Sequence, residues 1–255
     1  MKILSAYYSD IGISKKVNQD SLLIKEADTP LGKVLFAVLC DGMGGLKKGE
    51  VASASAIEGC AGWFSETFPH LLNQFSVQST VESMKELFEV INERIYSYGS
   101  RNEIELGTTL TAFLLVGTEV FIIGHIGDSR VYRIKHRVSQ LTEDHTFVER
   151  EVKNGRLTRQ EAENDHRRNI LLQCLGAGGK INPQFLSGKP ERNCTYMLCS
   201  DGFRHEISEN EIHGALYPGK LKDEETIRKK AVELVELNKQ RMEKDNISTI
   251  IICIK

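Results

Sequence analysis

The chain reads as a mixed α and β protein, one unit with a sheet at least partly antiparallel and helices packed on it. Three observations predict this. The unbroken apolar run 34–40 and the largely apolar stretch 247–254 have the length and composition of buried strands. Turn residues between short strands, as at Asp28-Thr29-Pro30-Leu31-Gly32, supply hairpin connections. Between these blocks lie segments with apolar residues at helical steps of three and four. At 255 residues the chain falls within the range of one large domain, 1–255, and can bury a large core.

Bulk properties exclude several function classes. A net charge of −2 gives no electrostatic reason to expect nucleic acid as a partner. The longest apolar runs reach about seven residues, far short of the roughly 18 that a membrane span needs. Met1-Lys2-Ile3-Leu4-Ser5-Ala6-Tyr7-Tyr8 lacks the features of a signal peptide and reads as a first strand. The six cysteines form no Cys-x-x-Cys pair, and most sit inside apolar runs, where thiols act as small hydrophobes. A cytoplasmic monomer is expected.

In chain order, strands at 3–8 and 21–25 flank a polar segment, and the turn at 28–32 leads into the apolar run at 34–40. That run delivers Asp41-Gly42-Met43-Gly44-Gly45, a carboxylate followed by residues that let backbone approach a ligand closely. Helices follow at 50–64 and after Ser79-Thr80-Val81-Glu82, read as a capping box, with Met84, Leu87, Phe88, Ile91, Ile95 and Tyr98 on one face. Strands come next at 110–116, 120–126 and 131–134, with the polar turn Gly127-Asp128-Ser129-Arg130 between the last two. Segment 142–179 is irregular and highly charged. It carries a short helix at 147–154 stopped by Gly155 and a capping box at Thr158-Arg159-Gln160-Glu161, and it reads as a surface excursion. A strand at 196–200 runs into Asp201-Gly202, a helix follows at 224–238, and Asp245-Asn246 precedes the final strand.

Asp20, Asp41, Asp128, Asp201 and Asp245 thus all lie at strand ends or in turns, where a sheet can aim them into one cavity. Clustered carboxylates need a positive charge among them, and oxygen-only ligands suit hard cations such as Mg²⁺ or Mn²⁺. No His-x-x-x-His spacing supports zinc. Rival chemistries fail on counting. Cys199 has four residues before Arg204, not the five of a cysteine phosphatase loop, and Glu50-Val51 stands where a P-loop from Gly44 to Gly49 requires Lys-Ser/Thr. No nucleophile elbow or kinase signature occurs.

The ordered set Ser9-Asp10-x-Gly12, Asn18-Gln19-Asp20, Asp41-Gly42-Met43-Gly44-Gly45, Gly107-Thr108-Thr109, Gly127-Asp128-Ser129-Arg130, Leu141-Thr142-x-Asp144-His145, Ser200-Asp201-Gly202 and Asp245-Asn246 resembles the metal-dependent serine/threonine protein phosphatases of type 2C, in their short bacterial form. The resemblance covers essentially the whole chain. It implies an α+β fold, a four-layer α-β-β-α sandwich with two mainly antiparallel sheets flanked by helices, and a site for two Mn²⁺ or Mg²⁺ ions with a third, weaker one. On the matching positions, Asp41 would bridge the two ions, Asp201 and Asp245 would complete the first, and the Gly42 carbonyl would bind the second. Asp20 would act on the second through water, and Asp128 with Asp201 would hold the third. Lys15 and Thr109 would contact substrate, 142–179 would be the flap, and Asp144-His145 would be a structural turn. The implied reaction is hydrolysis of phosphoserine or phosphothreonine in proteins by metal-activated water without a phosphoenzyme, with Asp41, Asp201 and Asp245 as the catalytic set. The implied substrates are phosphoproteins made by a eukaryotic-like serine/threonine kinase.

Three departures from the family pattern stand out. Lys15 replaces the usual arginine, keeping the charge without the bidentate fork. Gln19 replaces the usual glutamate, removing a negative charge near the second ion. The usual His-Pro is missing around Asp165-His166-Arg167-Arg168-Asn169. Met43 stands where some members carry histidine and is assigned packing. Lys15 and Gln19 motivate an alternative, a catalytically weak phosphoprotein-binding regulatory module with the same fold. Retention of all five aspartates favours the enzyme.

Overall fold

The computed structural model describes residues 2–43 and 48–255. Gly44 and Gly45 of the Asp-Gly-Met-Gly-Gly stretch lie outside them. Two five-stranded sheets form the centre. The first has the order β1 (Ile3–Asp10), β10 (Ile247–Ile254), β9 (Cys194–Cys199), β6 (Arg130–Ile134) and β7 (Val138–Gln140). The second has the order β2 (Asp20–Thr29), β3 (Gly32–Asp41), β4 (Leu110–Val116), β5 (Val120–Ile126) and β8 (Gln184–Gly188). Every neighbouring pair among the described strands is antiparallel.

The unbroken apolar run in β3 has a layered cause. Leu35, Ala37 and Leu39 face the other sheet and share a core with its Tyr196, Leu198 and Ile250 and with Phe113 of the neighbouring strand β4. Val34, Phe36, Val38 and Cys40, on the opposite face, pack under helices α1 (Gly49–Gly62) and α3 (Val77–Asn102). Strands alternate faces with period two, so a strand covered on both faces shows no polar alternation. The same holds for β10: Ile250, Ile252 and Ile254 enter the inter-sheet core, while Ile247, Ile251 and Cys253 meet α8 (Glu224–Gln240) through Ile227, Leu234 and Val235. Helix, sheet, sheet, helix is the four-layer sandwich that the motifs implied. All six cysteines are buried and unpaired.

Several expectations need correction in detail. Ser76, not Ser79, caps α3. Its extended backbone places its hydroxyl oxygen to accept the Ser79 N–H at 3.1 Å, so the expected box at Ser79-Thr80-Val81-Glu82 lies one turn inside the helix. Tyr98 is 37% exposed, at the margin of the buried stripe. The helix predicted at 50–64 passes into a π-helical turn at Trp63–Thr67 and then α2 (Phe68–Leu72). Within 142–179, α4 (Phe147–Lys153) and α5 (Arg159–Asn164) form as expected, the second with its complete Thr158–Glu161 capping box. Two short helices follow β9, α6 (Asp201–Arg204) and α7 (Glu209–Leu216). No helix among the described residues is long and apolar enough to cross a membrane.

Phe113 sits at the centre of the inter-sheet layer, its ring 5.0 Å from Tyr196 and 5.5 Å from Phe121. Truncating a fully buried aromatic costs about 3–5 kcal/mol. Phe113→Ala is therefore expected to lower unfolding free energy by that amount in urea denaturation, and a loss under about 1 kcal/mol would remove Phe113 from the core.

Candidate active site

The fold gathers the five aspartates from strand ends of both sheets. Asp20 opens β2 and pairs in register with Asp41, the last residue of β3. Asp128 sits in the turn between β5 and β6, Asp201 opens α6 straight after β9, and Asp245 lies just before β10. In sequence the set spans most of the chain, yet the two ladders bring it to one end of the sandwich.

Backbone contacts fix these positions. The Asp41 N–H donates to Thr109 Oγ1 at 2.9 Å, and the Asp41 carbonyl accepts from the Thr109 N–H at 2.8 Å and from Thr108 Oγ1 at 2.9 Å. Thr109 is 1% exposed and its hydroxyl also meets Ser129 Oγ at 2.9 Å, so it offers substrate no surface; the geometry puts it behind Asp41 as a support. The Gly42 N–H donates to the Gln19 carbonyl at 3.1 Å. A Cβ on Gly42 would lie 2.4 Å from the Gly49 carbonyl oxygen and 2.6 Å from that of Gln19, so only glycine lets these three backbones meet. Gln19 itself reaches Glu50 through Nε2 at 3.2 Å, a bond that a glutamate there could not donate. The Met43 N–H donates to the Gly107 carbonyl at 3.0 Å.

Asn246 is the residue whose part sequence reasoning missed. It is 3% exposed; its Oδ1 accepts the Gln19 N–H at 2.9 Å, and its Nδ2 donates to the carbonyls of Ile11 at 2.9 Å and Val17 at 3.2 Å. One side chain thereby ties the β1–β2 loop, which carries Lys15, to the start of β10. An asparagine next to a strand-end aspartate was the available signal. Behind the cluster, Asp144 takes a two-pronged contact from Arg130, with Nε at 2.8 Å and Nη2 at 2.7 Å. The His145 N–H donates to the Gly127 carbonyl at 2.7 Å, and His145 Nδ1 accepts the Gly127 N–H at 3.2 Å, which clasps the turn bearing Asp128.

Electrostatics mark the cluster as short of positive charge. Burial, then the charges of Asp201 and Asp245, push the Asp20 carboxyl up to about 7. Burial, then Asp20, Asp201 and Asp128, raise Asp41 well above the usual range. Asp128 is pushed up to about 7 by burial and Asp201, with Arg204 opposing. Both Asp20 oxygens are buried with no hydrogen-bond partner. Among the described residues, the nearest cations are Lys15, whose Nζ is 2.7 Å from Asp245 Oδ1, and Arg204, whose Nη2 is 3.7 Å from Asp128 Oδ2 and 3.6 Å from Asp144 Oδ2. Burial by itself would lower the Lys15 ammonium, but the Asp245 bond and the charges of Asp41 and Asp201 outweigh it and raise it. A cavity of about 440 Å³ opens here, lined by Lys15, Arg168, His205, Glu243 and Asp245.

In chemistry the donors fit a hard divalent cation: oxygen only, mutually repelling, with two oxygens of Asp20 unsatisfied. Among the described residues, no three His, Cys, Asp or Glu side chains as they stand form a group that could hold an ion. The groups whose chemistry would suit one are Asp20, Asp41, Asp201 and Asp245, with the Gly42 carbonyl beside them.

The Asp20 shift has a direction testable without substrate. Its folded-state value of about 7 lies above the ordinary value of about 4. The folded state therefore holds its proton longer, and the associated stability is full below about pH 4 and lost as pH rises towards 7. In EDTA, melting temperature is expected to fall more across that window for the wild type than for Asp20→Asn, and Mn²⁺ is expected to raise it more for the wild type. Parallel curves in differential scanning fluorimetry would contradict this.

With the geometry described, similarity becomes informative. The family description "Protein phosphatase 2C" matches residues 13–246. The chain is 31% identical over 221 residues to the serine/threonine phosphatase stp of Listeria monocytogenes serotype 4b (strain F2365), covering 85% of this chain and 83% of that protein. Its fold superposes on the S. agalactiae serine/threonine phosphatase with a TM-score of 0.86 at 28% identity, over 100% of both chains. It superposes on the catalytic domain of the serine/threonine protein phosphatase PstP, solved in complex with 2 manganese ions, with a TM-score of 0.77 at 28% identity over 99% of both. The chain belongs to the protein phosphatase 2C family, as a serine/threonine phosphatase of the short bacterial form.

Proposed function

We propose that the chain hydrolyses phosphoserine and phosphothreonine in proteins through water activated at a pair of Mn²⁺ or Mg²⁺ ions, with no phosphoenzyme. The observation that carries this is the convergence of five strand-end carboxylates, with Asp20, Asp41 and Asp128 all raised by burial and mutual charge. Bound divalent ions supply the missing charge, lower the pKa of water towards neutrality and offset charge on the phosphoryl oxygens. The manganese-bound PstP relative supports the choice of metal.

The chain's own residues then divide the work. Asp41, with its backbone fixed by Thr108 and Thr109, would be a ligand shared by the two ions; Asp201 and Asp245 would help hold the first, and the Gly42 carbonyl, with Asp20 acting through water, would help hold the second. Asp128 and Asp201 offer a third, weaker position, which the Arg204 guanidinium contests. Lys15 supplies a cation for the substrate phosphate. Its ammonium is paired with Asp245 Oδ1 at 2.7 Å, on a flexible stem that would let it turn to a phosphate in the same cavity. Segment 142–179 acts as a flap beside the cavity within one catalytic domain, 1–255. The partners are phosphoproteins made by a eukaryotic-like serine/threonine kinase, met by a cytoplasmic monomer.

The reaction is tested by phosphate release from a phosphothreonine peptide. Several kcal/mol of charge stabilisation depend on the metals, and each 1.4 kcal/mol is tenfold, so EDTA or Asp201→Asn is expected to lower kcat/KM by about a hundredfold or more. Metal-replete wild type no faster than either control would leave a binding module in place of an enzyme.

Lys15→Arg restores a planar fork able to grip phosphate with two bonds. Its KM for the peptide is expected to fall several-fold at similar kcat. An unchanged KM would take Lys15 out of the phosphate site.

A further inference from the structure

Asp201 and Asp245, the two carboxylates assigned to the first ion, come from different elements, and a buried glutamate paired with a half-buried histidine stands between them. Glu243 has a side chain 7% exposed. Its Oε1 accepts the backbone N–H of Lys244 at 2.7 Å and of Asp245 at 2.8 Å, while its Oε2 lies 3.1 Å from His205 Nδ1. His205 sits one turn beyond Asp201, with Nε2 3.7 Å from Asp201 Oδ2. Hydrogen bonds therefore run from the Asp245 backbone through Glu243 to His205, whose other ring nitrogen ends 3.7 Å from the Asp201 carboxylate, within ion-pair range but too far for a hydrogen bond.

The rest of the local structure holds this line taut. The Glu243 N–H donates to the Asn238 carbonyl at 3.1 Å at the end of α8, and Asn238 Nδ2 donates to the Phe203 carbonyl in α6 at 2.9 Å. Met242 adopts a left-handed backbone with φ 69°, the conformation that turns the chain out of α8 and towards Asp245. A buried charged pair contributes little stability in general, because desolvation offsets the attraction. Groups that hydrogen-bond to ligating residues do orient them, and their loss weakens metal binding.

We infer that Glu243 and His205 act as one positioning unit that sets Asp201 relative to Asp245, so that the first ion meets two ligands already in place. This rests on the metal-site reading above. Neither residue touches substrate in this role.

The test is Mn²⁺ titration by calorimetry on the full chain, for wild type, His205→Asn, Glu243→Ala, the double variant and Asp201→Asn, with melting temperatures in EDTA alongside. Each single variant is expected to raise the Kd of the tighter Mn²⁺ by about 10–100-fold. The double variant is expected to be no worse than the weaker single, since the two form one line. Saturating Mn²⁺ is expected to restore kcat in the single variants and not in Asp201→Asn. Wild-type Mn²⁺ affinity in both single variants, with only the EDTA melting temperature lowered, would make the pair merely structural and overturn the inference. Multiplicative losses in the double variant, or a kcat that stays low at saturating Mn²⁺, would overturn it too. If Asp201→Asn abolishes the tight Mn²⁺ and the single variants do not weaken it, positioning fails while the metal site stands. If wild type takes up no Mn²⁺, both fail. Should Glu243→Ala not fold, His205→Asn decides alone.

Discussion

Everything at this site depends on holding like charges together out of water. Five carboxylates at one end of a sandwich repel one another, and burial penalises each ionised form further. Side-chain flexibility cannot maintain such an arrangement; rigid backbone can. The two ladders provide it, because Asp20 and Asp41 are register partners and so cannot separate without breaking a sheet. The Thr108 and Thr109 bonds to Asp41 and the crowded contact of Gly42 with Gly49 and Gln19 stiffen the same corner.

The basic side chains nearby are arranged with the same economy. Arg130 is fully engaged by Asp144 and the Tyr132 hydroxyl, so it serves the scaffold and leaves the aspartate cluster unneutralised. Arg204 reaches the edge of the cluster at Asp128, with Nε buried and unpartnered. Among the described residues, Lys15 is the cation closest to the centre, on a loop held from below by Asn246. A fixed guanidinium in the middle would satisfy the carboxylates permanently. An ammonium on a flexible stem satisfies one of them reversibly, which leaves the others dependent on a charge from solution.

Legibility in the sequence followed burial. The runs in β3, β4 and β10 were plain because both faces of those strands are covered, so only small hydroxyl residues, Thr111, Ser248 and Thr249, enter the apolar stretches 34–40, 110–116 and 247–254. β8 was missed: four half-exposed residues and one exposed one at a sheet edge carry no such run. α7 escaped notice although Ser208 and Glu211 form a complete capping box, a signal present in the sequence. The α3 cap was misplaced because Ser76 and Ser79 are both serines one turn apart, and only the extended backbone at Ser76 distinguishes them. Of the site, the five aspartates could be read from their strand-end positions. Thr109 was given to substrate because its motif shows its type and place, while the direction of its hydroxyl is set by β3 and β6 packing on either side.

The unread residues share a cause. Asn246, Glu243 and His205 each depend on a partner dozens to hundreds of positions away, and those long-range bonds exist only once α6, the turn after α8 and the β1–β2 loop have docked. Strand-end aspartates announce themselves because their local context, an apolar run ending in a carboxylate, is already unusual. A histidine in a short helix or a glutamate after a long one has no unusual context. The residues that carry charge at the site are therefore encoded locally, and those that set the distances between them are encoded by the packing of whole elements. That division explains why motif comparison across the family transfers the aspartates, and why the spacing between Asp201 and Asp245 has to be read from this chain's own structure.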